Sequence, residues 1–210
     1  MRLGLVIILC LVCTFALCLA HDINIEKFKE NACVQYTTEF TVETTPDMWN
    51  RILDNPLLMG KLWELYQFEP HYKVSRRGSN LHIIDPSGIE GDLISLQSGN
   101  NLRIFYGNGT MKNWGIPISL MGKALFFLDY TYNRRQMVVT FRVYGEGGDT
   151  VVTRLLLKAA SPVLRRYIRK RIEHNLRDFK IILTDIMKDP DKIRHKLTGK
   201  TLTEFNRLYS

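Results

Sequence analysis

The chain has 210 residues, of which 45% are apolar and 24% charged, and its net charge is +8. That apolar share excludes an unfolded chain, and 14 Gly with 7 Pro exclude a collagen-like one. The length suits one large domain or two small ones, and no internal period marks a solenoid.

Residues 3–20 carry no charge; Arg2 precedes them and His21-Asp22 follows. This is the layout of a secretory signal, with Cys18-Leu19-Ala20 as a weak small-x-small cleavage site. The same run, at about 1.5 Å per residue, reaches roughly 27 Å and is just long enough to remain as a membrane anchor. A buried core helix is the other alternative. Under the first two readings the rest of the chain is exported, because few cations flank the far side of the segment. Leu17 before Cys18 argues against a lipoprotein. Cys10, Cys13 and Cys18 lie within the segment, which leaves Cys33 in the remainder. Neither an intramolecular disulfide nor a cysteine metal cluster is expected there.

In chain order, Val34, Tyr36, Thr38, Phe40 and Val42 alternate with polar residues, which predicts a strand with one wet face. Thr45-Pro46 reads as N-cap and first helical residue, and Asn55-Pro56 repeats the signal. Two short helices are therefore expected, carrying Met48, Trp49, Ile52 and Leu53, then Leu57, Leu58, Leu62 and Leu65. Strands are predicted over 72–76 and 81–84, joined by a turn at Arg77-Gly78-Ser79-Asn80. Further strands are predicted over 89–97, 102–106, 125–132, 137–144 and 151–157, with short connections that demand antiparallel neighbours. Residues 110–123 read as a strand end plus a closing loop. Gly107-x-Gly109 and Gly145-Glu146-Gly147-Gly148 read as turns. Asn108-Gly109-Thr110 is a glycosylation sequon, although Asn-Gly is also a turn dipeptide. Ser161-Pro162 is expected to open a long helix to Lys188, with Leu164, Ile168, Ile172, Leu176, Phe179, Leu183 and Ile186 at helical spacing. After Asp189-Pro190 comes a basic tail, where Thr201-x-x-Glu204 suggests a capping box for a short helix.

This order — strand, helix pair, antiparallel strands, long terminal helix — resembles the START-like superfamily of polyketide cyclases, Bet v 1 allergens and coenzyme Q-binding proteins. The likeness rests on the strand Val34–Val42, the helix pair over 46–65 with Trp49 and Trp63, and the terminal helix, and covers roughly residues 32–188. It implies an α+β helix-grip fold: a curved antiparallel sheet of six to seven strands with the long C-terminal helix over it. It also implies an apolar cavity between sheet and helix, but carries over no catalytic residue. Residues 1–20 and 189–210 are expected to stand outside that domain.

Site candidates follow from this layout. Aromatic residues on or beside the strands are expected to converge on the concavity: Tyr36, Phe40, Tyr106, Trp114, Phe126, Tyr130, Tyr132 and Phe141. Trp63, Ile172, Leu176 and Phe179 would face them from the helices. They line either a cavity or a filled core. The histidines show no metal spacing, and no cofactor motif occurs. His82 reads as an exposed strand residue, and Asp85, Glu90 and Asp92 as carboxylates solvated beside a turn. Arg166, Lys170 and Arg177 fall on the outer side of the terminal helix and are candidates for contact with anionic lipid. Trp114, Ile116 and Ile118 are candidates for dipping into the membrane interface. Export argues against a nucleic-acid partner.

The leading expectation is an exported or tethered binder of a lipid or other hydrophobic small molecule. A cyclase-type enzyme and an interaction module that uses its basic helix are the alternatives.

Overall fold

The computed structural model describes residues 23–99, 101–112, 120–134, 136–147 and 151–210, with backbone only at 120, 151–161 and 163–164. The chain divides into two units after Asn31. The first contains helix α1 (Ile25–Asn31), whose Lys27 N–H donates to Asn24 Oδ1 at 3.0 Å. Residues 3–20, and with them the signal or anchor expectation, lie outside the described residues. So do Trp114, Ile116 and Ile118. No helix among the described residues is long and apolar enough to cross a membrane.

The second unit begins with β1 (Val34–Val42), where burial alternates residue by residue as the sequence predicts. Helix α2 (Pro46–Leu53) starts where expected: Met48 N–H donates to Thr45 Oγ1 at 3.2 Å, and Pro46 occupies a position that has no hydrogen-bond acceptor to lose. Helix α3 (Pro56–Leu65) also begins at a proline, but Asn55 turns its amide back to Arg51 O at 2.7 Å instead of capping. Then come β2 (Lys73–Arg77), β3 (Asn80–Asp85), β4 (Ile89–Ser98), β5 (Leu102–Met111), β6 (Leu120–Asn133) and β7 (Gln136–Gly147). Gly78, at φ 64°, makes the turn of the first hairpin, a left-handed conformation that glycine adopts without a Cβ clash. All neighbours are antiparallel, in one seven-stranded sheet of order β1-β7-β6-β5-β4-β3-β2. The chain ends with α4 (Val151–Lys188), α5 (Pro190–Arg194) and α6 (Gly199–Asn206).

Several local expectations are corrected. Residues 151–157 form the start of α4 and not a strand. Their run of Val and Leu is too short for a period of 2 to be told from one of 3.6. Pro162 therefore lies inside α4 and not at its first turn. Thr201 lies within α6, whose N-cap position is Thr198. Gly107, Gly109, Gly145 and Gly147 sit inside β5 and β7, not in turns, and Asn108-Gly109 is mid-strand.

The core fills one end of the sheet. Trp49 and Ile52 from α2 and Leu58 and Leu62 from α3 pack with Val42, Met137 and Val139. Ile182, Leu183 and Ile186 of α4 close over them, joined by Ile193, Phe205 and Leu208 from the tail. Each such burial stabilises by roughly 1.5–3 kcal/mol. Between Trp49 and the sheet, the hydroxyl of Tyr130 lies 3.0 Å from both Asn50 Oδ1 and Gly99 O. Arg103, also buried, reaches the same Tyr130 oxygen at 3.4 Å and pairs with Asp54 at 2.8 Å. With one end of the sheet packed this way, any open space is left towards the other end.

Candidate functional site

At that other end, two neighbouring rows of residues across the strands are mostly glycine on the face towards α4. The register places Gly91 opposite Gly109, Gly109 opposite Gly122, and Gly122 opposite Gly147, one row across β4, β5, β6 and β7. Two residues along, Leu93, Gly107, Ala124 and Gly145 form the next row on the same face. Helix α4 crosses above, with Ile168 and Ile172 turned towards the sheet. Because the floor is backbone, sheet and helix do not interdigitate there. A cavity of about 360 Å³ remains, walled by Ile83, Ile89, Leu93, Met111, Phe126 and Val143. Cβ atoms built on Gly122 and Gly145 would meet their nearest neighbours at 3.9 and 3.5 Å, ordinary van der Waals contacts, so neither position is closed to a side chain by a clash at Cβ.

The polar side chains facing the cavity come from α4. Tyr167, Arg171 and Asn175 are spaced one turn apart and form a single stripe beside Ile168 and Ile172. The wall also includes Asp92, Lys123 and Glu146, but these alternate with the inward residues and turn to the sheet's other face. There Asp92 Oδ1 lies 2.8 Å from His82 Nδ1, and Lys123 is the cross-strand partner of Glu146.

Arg171 Nη2 donates to Asp85 Oδ2 at 2.6 Å and to Ser87 Oγ at 3.1 Å. Asp85 is buried, and its other oxygen accepts the Ser87 N–H at 2.8 Å. The guanidinium also lies over the rings of Tyr72 and Tyr167, at 5.7 and 6.0 Å. Burial disfavours the Arg171 charge, but Tyr72 and Asp85 more than offset this and its pKa is raised. Asn175 Nδ2 donates to the Tyr72 hydroxyl at 2.8 Å. Burial pushes that phenol up to about 12, so it remains protonated at neutral pH. Two atoms of the stripe, Arg171 Nε and Asn175 Oδ1, are buried with no hydrogen-bond partner among the described residues.

Of the aromatic and apolar candidates, Phe126 and Ile172 line this cavity. Phe141 stacks on Phe126, with centroids 6.2 Å apart. Phe40 and Phe179 pack on Trp49, and Trp63 on Phe68 and Tyr72; with Tyr130 they belong to the filled end. The Tyr36 hydroxyl donates to Glu173 at 3.2 Å across β1 and α4. Tyr106 alternates with Gly107 and so faces away from α4, Tyr132 is exposed at the end of β6, and Leu176 is half-buried one residue beyond Asn175. Arg166 and Lys170 are exposed. Arg177 is exposed too, but its guanidinium is engaged by His174 at 2.7 Å and Asp178 at 3.5 Å. Two expectations are corrected: His82 is buried, not exposed, and Asp85 is ion-paired and buried, not solvated. No cluster of three metal-ligating side chains occurs among the described residues. The stripe Tyr167–Arg171–Asn175 was readable as i, i+4, i+8 on an amphipathic helix. What hid it was the basic run around it, which looks solvated throughout.

No family model matches the chain, and no curated protein matches it in sequence. Solved structures do. A conserved protein from Geobacillus kaustophilus superposes with a TM-score of 0.52 at 14% identity, over 72% of this chain and 96% of that one. Ara h 8.0201 gives 0.47 at 9% identity, over 72% and 97%. A protein from Rhizobium loti gives 0.44 at 14% identity, over 67% and 92%. At these identities the likeness is one of fold. An uninterrupted antiparallel sheet, a helix pair inserted after its first strand and a long helix across its concave face make this an α+β helix-grip fold of the START-like type.

Proposed function

We propose that this protein binds a hydrophobic small molecule or lipid in the cavity between β4–β7 and α4, and does so outside the cytoplasm, carried or held there by residues 3–20. The observation that carries the reading is the pair of glycine- and alanine-rich rows in a sheet whose other end is tightly packed. Interiors normally close to the density of organic crystals. A hollow of this size with an almost wholly apolar wall suits an apolar guest, at about 25 cal/mol per Å² buried. Asp85, the buried carboxylate nearest the wall, is held by Arg171 and the Ser87 N–H, which favours binding over proton-transfer chemistry.

An anionic membrane surface is the proposed place of loading. Arg165, Arg166, Arg169 and Lys170 are exposed on the outer side of the helical stretch that roofs the cavity, each worth about 1 kcal/mol against anionic headgroups. Trp114, Ile116 and Ile118 are retained as candidates for interfacial contact.

Two experiments test these readings. Organic extraction of the natively produced full chain, followed by mass spectrometry, is expected to recover a stoichiometric apolar compound; its repeated absence counts against the cavity reading. In vesicle sedimentation, changing the four cations to Gln is expected to remove the preference for anionic over neutral vesicles. An unchanged preference rejects the docking face.

A further inference from the structure

Granting the cavity reading, on which this inference rests, we infer that Phe126 sets the longest ligand the cavity accepts: an elongated apolar molecule lies along the strands on the glycine floor and ends against the Phe126 ring.

The inward residues of β6 show where the floor stops. From the cavity towards the core they run Gly122, Ala124, Phe126, Leu128 and Tyr130. Gly122 and Ala124 line the cavity, Leu128 packs against the core, and Tyr130 belongs to it. Phe126 is therefore the first large side chain on this strand that a molecule on the floor meets. The roof ends at the same level. Asn175 is the last α4 side chain on the wall, and Phe179, one turn further on, is already packed on Trp49 at 6.0 Å. Sideways the cavity is bounded by Ile83 on β3 and Val34 on β1, so an elongated ligand that extends along the strands is stopped at Phe126.

The ring is held in that position from both sides. A Cβ built on Gly107 would lie 3.1 Å from Phe126 Cε2 and 3.8 Å from Cζ. Gly107 is paired with Ala124, one row nearer the open floor, so the ring leans forward into space that a side chain at 107 would take. Behind it stands Phe141, with centroids 6.2 Å apart and planes 17° from parallel. The cavity, about 360 Å³, is at the small end of the range for ligand sites, roughly 300–1,000 Å³, so the position of its end decides what fits.

The test is displacement of the neutral fluorophore N-phenyl-1-naphthylamine from the full chain by straight-chain alcohols, from 1-hexanol to 1-dodecanol. Affinity is expected to rise about fourfold per added methylene while the tail lengthens over the floor, and then to stop rising within the series. In Phe126→Ala the rise is expected to continue for at least two further methylenes, and in Phe126→Leu for at least one. Phe126→Leu is the milder change and serves if Phe126→Ala does not fold. Ile168→Ala, on the roof above the floor, is expected to weaken every alcohol without moving the break. A rise that continues to 1-dodecanol in the unmodified chain overturns the inference while the cavity reading stands. So does a break that stays in place in folded Phe126→Leu, or one that Ile168→Ala moves as far. If the fluorophore does not bind at all, the cavity reading fails, and this inference with it.

Discussion

Gly91 and Gly109 face each other across β4 and β5 so closely that neither position has room for a side chain. A Cβ on Gly91 would lie 2.5 Å from Asn108 O and 2.8 Å from Gly109 Cα; a Cβ on Gly109 would lie 2.5 Å from Glu90 O and 2.8 Å from Gly91 Cα. The obstacles are backbone atoms in the middle of a sheet, which cannot rotate aside. At Gly122, on the next strand in the same row, the nearest neighbours are at 3.9 Å.

Gly109→Ala is therefore expected to destabilise the protein by about 2 kcal/mol or more, because the strands must part. Gly122→Ala is expected to be neutral or to stabilise by up to about 1 kcal/mol, since it restricts the unfolded chain without a clash. Denaturant unfolding of the two variants checks the contrast. Equal losses would mean that the close approach is not confined to Gly91 and Gly109.

These glycines also mark where the sequence was misleading. A glycine in isolation signals a turn or a close approach equally well, and only the register between strands distant in sequence decides between them. Features encoded within a few neighbours were readable: the alternation of β1, the Thr45 cap, the Gly78 hairpin and the periodicity of α4 after residue 162. Asp85 and Arg171 are separated by 86 residues, and nothing local to either announces their pairing. Phe126 was identifiable as a cavity residue because it is apolar and on a strand, but the same description fits Tyr130 and Phe40, which fill the packed end.

The pair Arg171–Asp85 supplies a second prediction. Arg171→Met leaves a buried carboxylate without its counter-ion and is expected to cost about 3 kcal/mol. Adding Asp85→Asn removes that charge, keeps an acceptor for the Ser87 N–H, and is expected to restore more than half of the loss. Thermal or urea unfolding of the single and double variants measures it, and additive losses would contradict the pairing.

A pH prediction follows from Asp185. Burial pushes its carboxyl up, but hydrogen bonds from Lys192 at 2.7 Å and the Tyr66 hydroxyl at 2.6 Å outweigh this and hold its pKa below the usual value. A lowered folded-state pKa contributes stability that is fully present above the unfolded value, about 3.9, and is lost as pH falls through the folded one. Asp185→Asn is thus expected to be less stable than the unmodified chain by about 1–2 kcal/mol from pH 7 down to about 5. The gap should narrow below about pH 4. A gap that widens on acidification would contradict the assignment.

The hollow itself is tested most directly by filling it. Ala124 lies between Gly107 and Gly145 on the cavity floor, where a phenyl ring has open space to occupy. Titration with N-phenyl-1-naphthylamine is predicted to show a saturable site in the unmodified chain. In Ala124→Phe the affinity should fall at least about tenfold, with unfolding stability unchanged to within about 1 kcal/mol. A folded Ala124→Phe protein that binds the fluorophore as tightly as the unmodified chain would contradict the cavity as the binding site.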